Sequence, residues 1–220
     1  MPITVDSLRN LAENQSVMLN AQTLDLERSS RSLRFRSAFR TSGAKATNAL
    51  TLAAIRRAVV TDPRFSCVQQ RANALFDQID RTKLVQTNVI RSLVADLDAA
   101  RDLHAVNLRA WTLERLRNDP AVALPAAAHA HPEAALNFVN HLIADHAARA
   151  NGDLGTLTAQ ALATEVAEVF DAIETAAGGD ATVADWAVRH LAADPAAFAT
   201  PGAATDRVNA YRMSLQHLGN

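Results

Sequence analysis

From Arg64 to Asp119 the chain runs 56 residues without a proline or a glycine, which few folds can accommodate. Most of these residues are strong helix formers, so helix is the natural state of the run. Asp62-Pro63 supplies the start signals, a carboxylate for unpaired backbone N–H groups and a ring preset for the first turn. Asn118-Asp119-Pro120 closes it. In its second half Ile90, Leu93, Leu97, Ala100, His104, Leu108 and Trp111 recur at three- and four-residue spacing. Arg91, Asp98, Arg101 and Asp102 fall off that stripe. The pattern predicts one buried face, with Leu97 and Trp111 in the core and His104 on it with its ring nitrogens satisfied. One long rod and an antiparallel pair bent near Thr82-Lys83 both fit the pattern.

Other segments read as helices too: 5–21 with Leu8, Leu11, Met18 and Leu19 inward and Asp6 or Ser7 as cap, then 44–60, 132–150 and 156–177. Two more follow, one from Thr182 with a capping box to Asp185 and a last one over 205–218. Apolar residues make up 49% of the chain but aromatics only 5%, which favours closely spaced helices over aromatic-rich strands. The expectation is therefore all-α: a multi-helix bundle of about seven or eight helices around the long central segment, with a short extended basic segment near the N-terminus. Residues 1–119 are expected as a basic N-terminal helical half that includes the central run. Residues 120–132 form an Ala/Pro-rich linker, and 133–220 an acidic C-terminal helical half; the halves make one compact domain or two.

No stretch approaches the roughly 18 consecutive apolar residues of a membrane span. The start, Met1-Pro2-Ile3-Thr4-Val5-Asp6, has no charged leader before an apolar core, so a secretory signal is not expected. Cys67 stands alone, which excludes a disulfide within the chain and any multi-cysteine zinc site. The cytoplasm or another reducing compartment is the expected location, and export by a machine that reads unstructured N-termini stays compatible.

A net charge of -1 conceals a gradient. Residues 1–60 hold nine Arg/Lys against four Asp/Glu, residues 61–120 nine against eight, and residues 121–220 four against eleven. Much of the basic excess lies in one stretch. Arg28, Arg31, Arg34, Arg36 and Arg40 scatter around a helix axis, but with period two Arg34, Arg36 and Arg40 share one side and Leu33, Phe35 and Phe39 the other. An extended segment with a cationic face fits best. Such a face can neutralise phosphates, and Phe35 offers a ring for bases to stack on. The plainer alternative pairs these arginines with acidic residues of the C-terminal helices, Glu165, Glu168 and Asp171 among them.

His129, His131, His141 and His146 lie within 18 residues, and His141 and Asp145 sit one turn apart. His129, His131, His141 and Asp145 are thus the nearest approach to a metal site. His141, Asp145 and Arg149 also line up with Asn137 as an exposed polar face, and no metal or cofactor is expected. No Gly-x-x-x-x-Gly-Lys-Ser/Thr, Gly-x-Gly-x-x-Gly or Gly-x-Ser-x-Gly motif occurs, so nothing supports an enzyme. The reading is a non-enzymatic binding or assembly protein. Its basic N-terminal third would engage an anionic partner such as nucleic acid, and its helical faces would meet a protein partner or a second copy. The alternative is a protein-interaction effector or adaptor delivered without a signal peptide. A metal-dependent helical enzyme comes third.

Overall fold

Apolar side chains of this protein collect into two separate cores, and the computed structural model divides accordingly into Met1–Leu103 and His104–Asn220. It describes residues 3–13, 15–20, 23–28, 41–79 and 85–218. The fold is all-α, with a long central helix, as the sequence implies.

The first unit begins with α1 (Val5–Arg9), where Thr4 rather than Asp6 or Ser7 is the cap: the Ser7 N–H donates to its Oγ1 at 3.1 Å. The expected helix over 5–21 ends there. Residues Ser16–Leu19 form strand β1 instead, antiparallel to β2 (Leu26–Arg28) and β3 (Val85–Gln86), in the order β2-β1-β3. Val17 pairs with Arg28 on one side and Val85 on the other. The cause is tertiary. Thr87, 1% exposed, holds the chain ahead of β1: its N–H donates to Gln15 O at 2.8 Å, and its hydroxyl accepts the Gln15 N–H at 3.1 Å. That hydroxyl also lies 2.5 Å from Ala12 O.

After α2 (Thr41–Val60), Asp62 caps a 3-10 turn over Pro63–Val68, which leads into α3 (Gln69–Asp77). The glycine- and proline-free run is therefore not one helix. β3 interrupts it before α4 (Thr87–Asn118) begins, and the suspected bend at Thr82-Lys83 lies outside the described residues. Leu8, Ile55, Val59, Phe65, Ala72, Ile90 and Leu97 fill this core, none of them measurably exposed.

In the second unit α4 continues with Leu108, Thr112 and Leu116 buried at four-residue spacing. Trp111, expected inside, is half exposed. It stands three residues beyond Leu108 rather than four, about 100° from the middle of that line at 100° per residue. Residues 120–132, expected as a linker, carry a 3-10 turn (Pro120–Val122) and α5 (Ala126–Ala130), and Val122 and Ala128 are buried in the core. Then come α6 (Pro132–Arg149), α7 (Ala159–Ala177), α8 (Ala181–Ala193), a 3-10 turn (Pro195–Phe198) and α9 (Pro201–Leu218).

Thr158 caps α7, which stops at Gly178, whose φ of +63° strains any residue with a Cβ. α8 is capped by Asp180, accepting from the Thr182 and Val183 N–H groups, and not by the expected Thr182/Asp185 box. Buried alanines, among them Ala163, Ala176, Ala177, Ala187 and Ala204, let the helix backbones approach closely around Phe138, Phe170 and Phe198. Among the described residues no helix is long and apolar enough to cross a membrane.

Candidate functional site

Charge follows the structural division. Met1–Leu103 carries fifteen Arg/Lys and ten Asp/Glu, and His104–Asn220 carries seven and thirteen. Of the basic stretch only Arg28 lies among the described residues, at the end of β2, with its backbone paired to Val17. The extended reading is met at that one position. Arg31, Arg34, Phe35, Arg36 and Arg40 lie outside the described residues.

Other arginines of this unit are held by its carboxylates. Arg9 reaches Asp98 at 2.6 Å and Asp6 at 2.7 Å, and Arg64 reaches Asp62 at 2.7 Å and Asp6 at 3.0 Å. Arg56 pairs with Asp77 at 2.9 Å while its guanidinium also donates to Asn73 Oδ1. Arg91 meets Glu13 at 3.0 Å, and Arg101 meets Asp102 at 2.8 Å and Asp98 at 3.4 Å. These pairs engage six of the unit's ten acidic residues. They tie α1 to α4 and to the Pro63 turn, a structural role.

Asp62 is the most constrained of them. Burial works against its ionisation, but hydrogen bonds from the Arg64 side chain and backbone N–H outweigh it and hold the carboxyl below its ordinary range. With a folded-state value below the ordinary 3.8, its contribution is complete above that pH and is lost as pH falls through the lower value. Asp62→Ala, which also removes the cap, is expected to cost about 1–2 kcal/mol at pH 6. Urea unfolding should show the difference from the parent protein shrinking below pH 3.8; a difference that stays constant to pH 2.5 would refute this assignment.

α3, β3 and the start of α4 border an open, mainly apolar groove of about 580 Å³. Leu75, Ile79, Val85, Val89 and Leu93 line it, with Asp96 on its polar side. Cys67 is half-buried against the same unit's core.

In the second unit the residues named as a metal candidate part company. His129 lines a cavity of about 90 Å³ beside Arg117 and Pro132. The His131 ring lies 2.7 Å from Asp185 through Nε2 and 3.3 Å from Glu133 through Nδ1. His141 stacks on Phe138, ring centroids 6.3 Å apart, and Asp145 pairs with Arg149 at 2.6 Å. Nε2 of His146 and Nε2 of His104 are buried with no hydrogen-bond partner among the described residues, so the expectation of a satisfied His104 is corrected there. Among the described residues no three His, Cys, Asp or Glu side chains gather as metal ligands.

Sequence spacing could not reveal the partner that His131 does have, because Asp185 lies 54 residues away on α8. The hydrogen bond that its ring N–H donates to Asp185 raises the His131 pKa above its ordinary value; desolvation opposes this, and Glu133 adds to it. Next to this pair Trp186 stacks on Tyr211 at 3.8 Å and 4° and lies 4.2 Å from the His190 ring. Glu165, Glu168 and Asp171 lie exposed on α7 with no ion pair among the described residues. No family model, curated protein or solved structure compared with the chain matches it.

Proposed function

We propose that the protein is a non-enzymatic binding or assembly protein whose basic N-terminal unit engages an anionic partner, nucleic acid in particular. The observation that carries this reading is the coincidence of charge with structural division: fifteen basic against ten acidic residues in one unit, seven against thirteen in the other. Five described arginines hold six of the first unit's carboxylates, so its other four acidic residues are outnumbered by ten basic ones. Arg28, Arg31, Arg34, Arg36 and Arg40 are half of those ten. Cations in excess, interleaved with aromatic rings, suit a phosphate backbone with stacked bases.

The test is fluorescence anisotropy of a labelled single-stranded RNA of mixed sequence, titrated with the full chain over a salt series. Binding that weakens steeply with salt supports the reading. No measurable affinity at low salt would sink it and bring forward the second reading, a protein-interaction adaptor. That reading is favoured by the apolar groove along α3, β3 and α4, an exposed Val89 included.

A further inference from the structure

The corner between α5 and α6 rests on the second unit's core mainly through Val122 and Ala128, with Leu124 and Ala127 partly buried beside them. α5 is five residues long, Ala-Ala-Ala-His-Ala, of which only Ala128 is buried, and no side chain caps its start. A helix this short has no stability of its own, and an alanine side chain adds little burial. Beside the packing of Val122, Leu124, Ala127 and Ala128 on the core, a polar link joins the corner to α8 through His131, where α5 ends and α6 begins.

Both ring nitrogens of His131 face carboxylates, Nε2 that of Asp185 on α8 and Nδ1 that of Glu133 on α6. Arg189, one turn beyond Asp185, pairs with the other oxygen of that carboxylate. Two further titratable or charged groups, His129 on α5 and Arg117 on α4, share the small cavity with Pro132, the residue after His131. Two carboxylates demand two N–H donors, and only the imidazolium has two. A neutral ring turns a lone pair toward one of them.

We propose that His131 is a pH-sensitive latch: protonated, it holds segment 120–131 against α8, and on losing its proton it lets that segment open locally and uncover Leu116, Val122 and Ala128. A short segment that buries mostly small side chains and is held to α8 through a polar pair suits local opening. The direction follows from the geometry. A closed-state value raised above the ordinary 6.5 means the hold is complete below that pH and is lost as pH rises through the raised value. Opening and titration are linked, so the opening constant grows about tenfold for each pH unit by which closure raises the His131 midpoint.

Hydrogen exchange, corrected for the intrinsic rate at each pH, reads the opening at the amides of Val122, Ala128 and His131. These donate to Asp119 O, Pro125 O and Ala128 O. Buried α7 residues Val166 and Phe170 serve as the control, and NMR of the imidazole gives its midpoint in the same sample. Between pH 6 and pH 9 protection should fall at the corner and not in α7, by the factor the measured midpoint dictates. Asp185→Asn should lower that midpoint, and both it and His131→Gln should lose corner protection at pH 6. Corner protection independent of pH, a His131 midpoint at or below its ordinary value, or an equal loss in α7 would each overturn the latch.

Discussion

Leu97→Ala is expected to lower the unfolding free energy by about 2–5 kcal/mol, because a fully buried leucine leaves a cavity its neighbours fill only in part. Leu97 is 0% exposed, between Val94 on its own helix and the core that α1, α2 and α3 supply. Trp111→Ala removes a larger side chain from the same helix yet should cost about 1 kcal/mol, the central figure for point substitutions in general. At 50% exposed, Trp111 leaves no closed cavity behind. Urea unfolding of both variants measures the contrast, provided the slopes match that of the parent protein. An unchanged midpoint for Leu97→Ala would refute the assignment of the buried face, and a larger loss for Trp111→Ala would refute its exposure.

For RNA binding the expected effect is larger still. Each phosphate neutralised on a single strand contributes about 0.7 to the slope of log affinity against log salt. With Arg28, Arg31, Arg34, Arg36 and Arg40 all engaged, affinity should fall about a hundredfold between 50 and 200 mM salt. Arg34→Gln with Arg36→Gln should weaken every sequence alike and reduce the slope by about 0.7 for each lost contact. Backbone neutralisation carries no sequence information, so a variant that changes sequence preference while keeping the slope would contradict the phosphate-contact role. If the two arginines serve carboxylates of this chain instead, the double variant should lose stability while its RNA affinity stays at the parent's level.

Helix content and the positions of most helix ends follow from local chemistry, and the sequence alone determined them. Asp62-Pro63, Asp119-Pro120 and Gly178 act within a turn of their own position, where capping and backbone dihedrals decide the outcome. The buried line through Ile90, Leu93 and Leu97 is equally local, because its period is that of the helix itself. Charge asymmetry is a matter of composition and needs no fold.

Long-range pairing is where that reasoning stops. Residues 16–19 are a strand because Val17 meets Arg28 and Val85, and because Thr87 grips the chain just before them. No local signal separates such a segment from one more helical turn. Trp111 continues the sequence stripe, but which side of a helix is covered depends on what packs there, and beyond Leu108 that is the line of Thr112 and Leu116. Asp185 reads locally as a capping residue, yet its carboxylate goes to His131, a partner that only the packing of the α5–α6 corner on α8 brings within 2.7 Å. The side chains along each helix were legible in the sequence; which of them meet across helices was decided by the tertiary structure, because distance in space has no period in the sequence.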